Sequence, residues 1–182
     1  MNKTNFLESI RKLFRYYKSL GEKAIEQLTD EALHQRANEA SNNIATIVKH
    51  LSGNMLSRWT GFLESDGEKD WRNRESEFED SLNTKAEVLA AWEKGWSCLF
   101  TAIDPLTEAD LERIVYIRNE GHTVLETIHR QLTHYSYHVG QIVYQAKQIK
   151  GEDWQSLSIP KGQSKAFNEQ KFSQEKRRKH FT

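Results

Sequence analysis

From His122 to Gly151 the sequence HTVLETIHRQLTHYSYHVGQIVYQAKQIKG has no proline and a sustained 3.6-residue apolar period, which predicts one long amphipathic helix. Ile128, Leu132, Tyr135, Val139, Ile142, Ala146 and Ile149 form a stripe that must be covered by other chain. Beside the stripe runs a second row, Thr127, Gln131, His134, His138, Gln141 and Gln145, which is polar but almost uncharged. Arg130 and Lys147 fall on the remaining, solvent-type face. His134 and His138 stand just over one turn apart, so both imidazoles project from the same side of the helix. That is the spacing at which two histidines can share a metal ion. Neutral polar side chains on the flank of a core face also suit a partly buried site, because none of them carries the cost of a buried charge. An ordinary amphipathic boundary with two incidental histidines fits the same periodicity equally well.

A chain of 182 residues suits one domain with a real core. Two prolines, nine glycines and long helical periods predict a mostly helical protein. The formal net charge is zero, so no overall field recruits nucleic acid or a membrane surface. No apolar run reaches the roughly 20 residues of a membrane span, and MNKTNFLESIRK lacks a secretory apolar region, which makes the cytoplasm the expected location. The single cysteine, Cys98, excludes an internal disulfide framework and a cysteine-rich zinc site.

A first helix is expected over residues 3–27, with Phe6, Ile10, Leu13, Tyr17 and Ala24 on one face. Thr29-Asp30 marks a break, followed by a short helical turn or loop to about Ala40. Ser41, Asn42 and Asn43 are helix-start residues for a second helix, IATIVKHLSGNMLSRWTGFLE, with Ile44, Val48, Leu51, Met55, Trp59 and Phe62 inward. On it His50 lies off the stripe in a row with Asn43, Ile47, Asn54 and Ser57, repeating the arrangement of the long helix. Alone it reads first as a boundary histidine; on a helix facing His134 and His138 it becomes the natural third ligand. Gly53 permits close approach of another backbone.

Residues 64–81 carry charges of alternating sign and read as a crossover connection, pinned by Trp71 and Phe78. Thr84 and Glu87 make a capping box for a third helix to Ile103, with Leu89, Trp92, Trp96, Leu99, Phe100 and Ile103 inward and Asp104-Pro105 beyond. Cys98, among bulky apolar neighbours with no basic partner nearby, reads as a buried inert thiol. IVYIR, a turn at Asn119-Glu120-Gly121 and a return through HTV suggest a small hairpin, and Thr123 with Glu126 makes another capping box. IPKGQSKAFN reads as extended chain, and KFSQEKRRKHFT as a short helix whose basic cluster, Lys176 to Lys179, is a solvated tail.

VKHLSGNMLSRW and HYSYHVGQIVYQAK, on the second helix and the last long one, resemble the DinB/YfiT-like superfamily of bacterial four-helix-bundle metalloproteins. More narrowly, the stretches NNIATIVKHLSGNMLSRWTGFLESDGEKDWRNRESEFED and YIRNEGHTVLETIHRQLTHYSYHVGQIVYQAKQIKG look like an uncharacterised branch of it, over roughly residues 5–160. The resemblance implies an all-α, up-up-down-down four-helix bundle with a long crossover, as a domain of residues 1–160 followed by a tail of 161–182. It implies a divalent metal held by His50, His134 and His138, and frequently a homodimer. His34, His122, His129 and His180 match no ligand position.

Some members of the superfamily add bacillithiol, mycothiol or glutathione to electrophiles, and others are thiol-dependent isomerases; many have no demonstrated activity. Three neutral imidazoles would leave coordination positions open for water or substrate, and Zn²⁺ or Ni²⁺ suits such ligands. Asn54, Arg58, Gln131 and Gln141 are the candidates for orienting ligands or contacting substrate, Arg58 being equally placed for a surface ion pair. The motifs lack the several carboxylates of a di-iron bundle. Two functions fit: a metal-dependent thiol S-transferase acting on small electrophiles with a low-molecular-weight thiol as co-substrate, and a non-catalytic metal-binding or stress-associated bundle. Imidazole ligands predict metal affinity that falls as pH drops through about 6.5.

Overall fold

The computed structural model describes residues 3–177 and is mostly helical, with one two-stranded sheet. Six helices run in order: α1 (Lys3–Glu26), α2 (Asp30–Leu33), α3 (Ile44–Trp59), α4 (Lys85–Ile103), α5 (Val124–Lys150) and α6 (Ser164–Phe172). The strands β1 (Ile114–Ile117) and β2 (Glu120–Thr123) pair antiparallel just before α5. None of these helices is long and apolar enough to cross a membrane.

The sequence-legible caps are all made. Asn43 accepts from the Thr46 amide at 2.8 Å, while Thr84–Glu87 and Thr123–Glu126 form reciprocal capping boxes. Each such cap satisfies otherwise orphaned N–H groups and contributes about 1 kcal/mol. The α3 helix ends at Trp59, five residues before the end its apolar pattern suggests. Thr60 turns to an extended ψ of 123° and Gly61 takes a φ of +56°, so Phe62 reaches the core from a turn.

Packing joins α3 to α4, α1 to α5, α1 to α4 and α3 to α5. Phe14, Trp92, Trp96 and Tyr135 are almost wholly buried where these helices meet, with ring centroids 5.5–6.3 Å apart in edge and tilted contacts. Burying each such side chain contributes roughly 1.5–3 kcal/mol. The closest approach of α4 to α3 passes over Gly95, where a Cβ would stand 2.9 Å from the Ser52 Cα. Trp59 Nε1 donates to the Tyr135 hydroxyl at 3.0 Å, which donates to Asn54 Oδ1 at 3.1 Å, so a buried polar chain ties α3 to α5.

The hairpin turn is Arg118-Asn119, one residue before the expected position, and both residues have positive φ (55° and 62°). Such a two-residue turn matches the twist of the strands. Asp66 offsets the strain of a left-handed arginine, since its carboxylate accepts from both turn amides at 2.9 and 2.8 Å. The Gly67 amide donates to the Tyr116 carbonyl at 2.8 Å, and Ser57 Oγ donates to the Gly67 carbonyl at 2.9 Å. The start of the crossover is therefore stitched to the hairpin and to α3 together.

Of the two expected crossover anchors, Trp71 is not one: it is 61% exposed. Phe78 stacks on the His50 ring at 5.1 Å, and the charged Glu77 is buried, 5% exposed within a 3-10 turn at Glu75–Phe78. The Trp71 indole stays at the surface, whereas the Glu77 carboxylate finds two charge-assisted partners (below). In the C-terminal part, helix forms over Ser164–Phe172, so residues 164–168 are helical where extended chain is expected, whereas the helix expected from Lys171 onward ends at Phe172; all residues of α6 are exposed. The basic cluster from Lys176 to Lys179 passes out of the described residues after Arg177, and His180 lies outside them.

Candidate metal centre

His50 projects from α3 towards His134 and His138 on α5, and their ring centroids lie 5.5, 5.0 and 4.8 Å apart in edge-on arrangements. One nitrogen from each can be chosen so that all three fall within 4.8 Å of one another, so these histidines could hold a metal ion. The two on α5 are closest, Nε2 to Nε2 at 3.2 Å. Zinc–nitrogen bonds of about 2.0–2.1 Å in a tetrahedral site set ligand nitrogens about 3.3 Å apart, so this edge of a coordination shell already has the right length.

Two of the rings are oriented through their other nitrogen. His138 Nδ1 donates to Gln141 Oε1 at 2.8 Å, and His50 Nδ1 to Glu77 Oε2 at 2.9 Å. A proton held on Nδ1 leaves the Nε2 lone pair free, which is how metal-ligating histidines are usually prepared. Glu77 is itself held by Arg72, whose Nε and Nη2 donate to its two oxygens at 2.7 and 3.0 Å. Arg72 reaches on to Glu68 at 3.3 Å. Burial raises the Glu77 pKa, but the hydrogen bonds from His50 and Arg72 outweigh it and leave the carboxyl below its usual range.

The electrostatics favour neutral imidazoles. Burial first, then the neighbouring His138 and His50 and the nearby Arg58 and Arg72, press the His134 pKa down to about 3. Burial and His50 press His138 down to about 4 against the opposing effect of Gln141. Both are therefore uncharged, and able to ligate, well below the ordinary imidazole range near 6.5. This shifts the sequence-based pH expectation: competition by protons at these two ligands begins further to the acid side.

The three histidines open onto a cavity of about 690 Å³, which Asn54, Arg58 and Gln131 also line. Arg58 is 5% exposed and Gln131 2%, and Arg58 Nε, Arg58 Nη1 and Gln131 Oε1 have no hydrogen-bond partner among the described residues. Arg58 is thus no surface ion-pair residue. Gln141 touches a candidate ligand directly, whereas Asn54 is engaged by Tyr135 and is at most a wall of the cavity.

The remaining histidines within the described residues serve elsewhere. His34 pairs with Asp80 at 2.9 Å, His122 faces Arg130 at 3.4 Å and His129 packs edge-on against Phe6. Cys98 is half-buried, 3.5 Å from Thr60 Oγ1, and lines a different cavity.

Glu77 and Arg72 are the site residues that sequence reasoning missed, because they sit in a stretch that reads as solvated alternating charge. The available signal was Gly53. A Cβ there would collide with the Glu77 carboxylate, so the glycine accommodates a side chain from the crossover rather than a neighbouring backbone.

A family model described as "Protein of unknown function (DUF1572)" matches residues 2–163 of the chain. No curated protein and no solved structure matches it.

Proposed function

The chain belongs to this family of proteins of unknown function, DUF1572, and on the geometry of its histidines we propose that it is a divalent-metal enzyme of the DinB/YfiT-like kind. In this reading residues 1–160 are an up-up-down-down four-helix bundle, 161–182 are a tail, and His50, His134 and His138 hold zinc or nickel. The pairwise packing of α1, α3, α4 and α5 and the long connection between α3 and α4 support the bundle.

One observation carries the enzymatic reading: the three imidazoles line the cavity rather than being sealed beneath it. With His50, His134 and His138 as its protein ligands, a bound ion would be reachable from the cavity, as in catalytic rather than closed structural sites. It would supply a nucleophile near neutral pH by lowering the pKa of a water or thiol. The protein's part is to keep the ligands neutral by burial, orient His50 through Glu77 and His138 through Gln141, and hold substrate against Arg58. Cys98 does not line this cavity, so the nucleophilic sulfur of a thiol S-transferase would come from a low-molecular-weight co-substrate. The proposed reaction is addition of that thiol to a small electrophile. The assembly is a homodimer in this reading, consistent with Tyr144 standing 64% exposed on α5.

Elemental analysis of untagged protein purified without a metal column, beside His50→Ala and His138→Ala, tests the site. The expected result is about one zinc or nickel per chain, lost in both variants. Thiol consumption is then followed with an electrophile panel in metal-loaded and metal-free protein. Metal-dependent stability with no metal-dependent turnover would leave the non-catalytic bundle in its place.

A further inference from the structure

Five arginines, Arg58, Arg72, Arg74, Arg118 and Arg130, line the cavity above the histidines, and no carboxylate does. Three of the five have a carboxylate partner. Arg72 is paired with Glu77 and Glu68, Arg118 with Glu68 at 3.2 Å, and Arg74 with Glu75 at 3.7 Å. Arg58 and Arg130 have no carboxylate in ion-pair contact among the described residues; Arg130 meets only the His122 ring.

Arg58 is the decisive member. Only 5% of it is exposed, yet no acceptor among the described residues meets its Nε or Nη1. Gly67 sits against it so closely that a Cβ would be 2.7 Å from Nη1, which fixes the side chain against the cavity wall. Keeping an unpaired cation in such a place costs several kcal/mol. A fold that carries this cost gains nothing from it until an anion arrives. Gln131 Oε1, also buried and without a partner among the described residues, lines the same cavity from α5 and offers an acceptor to a hydroxyl or water accompanying that anion.

From this arrangement we infer that the cavity binds a small dianion, a phosphate ester or a dicarboxylate, held by Arg58 from within and Arg130 at the rim. Two uncompensated guanidiniums match two negative charges, and planar guanidinium suits both carboxylate and phosphate oxygens. The inference deepens the proposed function, resting on it for the fate of the ligand but not for what holds it.

Calorimetric titration of metal-free and zinc-loaded protein with phenyl phosphate, succinate and benzyl alcohol tests it. Saturable uptake of one or both dianions is expected in both forms, with none of the neutral alcohol, and the preferred dianion identifies the chemistry. Arg58→Met should weaken uptake about 10- to 100-fold, from the loss of a charge-assisted hydrogen bond. Arg130→Met, at an exposed position that does not threaten the fold, should weaken it by a smaller factor of about 2–5. Benzyl alcohol binding as well as the dianions, or undiminished dianion binding by both arginine variants, would overturn the inference. Zinc bound with no dianion uptake sinks it alone, while dianion uptake by protein that takes up no metal upholds it and sinks the metal reading.

Discussion

Replacing Glu77 by glutamine keeps the size of the side chain and removes the charge that two other side chains depend on. His50 Nδ1 then donates to a neutral amide oxygen instead of a carboxylate 2.9 Å away, and the ring loses basicity at the nitrogen that would face an ion. Changes of this kind at the partner of a ligating histidine weaken metal binding about 10- to 100-fold. Stability falls as well. Arg72, whose side chain is 3% exposed, loses its bidentate acceptor. Breaking a buried pair by removing one partner costs about 3–5 kcal/mol, and the retained contact with Glu68 at 3.3 Å reduces this to about 2–3 kcal/mol. Zinc affinity is measured by competition with a chromophoric chelator, and stability by urea denaturation of the metal-free protein. Arg72→Met serves as the control: it destabilises the same segment but leaves a carboxylate on His50. The reasoning is refuted if Glu77→Gln retains zinc affinity within about twofold, or if Arg72→Met loses as much affinity as Glu77→Gln.

Three further outcomes follow from the same geometry. In metal-free protein, NMR titration should show His134 and His138 still neutral at pH 5. Their pKa values, lowered to about 3 and 4, lie below the unfolded value near 6.5, so the unfolded chain binds more protons between these limits and stability must fall as pH drops from about 6.5 towards 4. Arg58→Met should raise the stability of ligand-free protein by about 1–3 kcal/mol in urea denaturation, because an unpaired buried cation is replaced by an apolar side chain. Gly53→Ala should displace the Glu77 carboxylate and lower zinc affinity, while gaining up to about 1 kcal/mol of helix propensity; unchanged affinity would separate Gly53 from the site.

What could be read from the chain follows the range of the interactions. Caps at Asn43, Thr84 and Thr123 depend on residues two to four positions away, so short patterns identify them. The inward stripes of α3, α4 and α5 and the polar row bearing His134 and His138 are likewise periodic. His50 was accessible because the same row repeats on a second helix. The pairing of Glu77 with His50 was not, since a carboxylate that is hydrogen-bonded from both sides has the same local sequence as one in water. The turn at Arg118-Asn119 was displaced from its sequence signal by Asp66, a residue far away in the chain that caps the turn amides. The helix at Ser164–Phe172 buries nothing, so no apolar period announces it.

The spacing of the three histidines also sets an order of assembly. His134 and His138 lie one turn apart on α5, so forming that helix alone brings them together. His50 is separated from them by the crossover, α4 and the hairpin, and meets them only when α3 has docked. Closing so long a loop makes that contact slow relative to helix formation, which takes about a microsecond or less. An ion taken up by these histidines while the chain folds would meet the two ligands of α5 first, favouring helix in that stretch. The third would be added with the crossover that carries Glu77, so on the proposed metal reading release of the ion and loosening of the crossover would be linked.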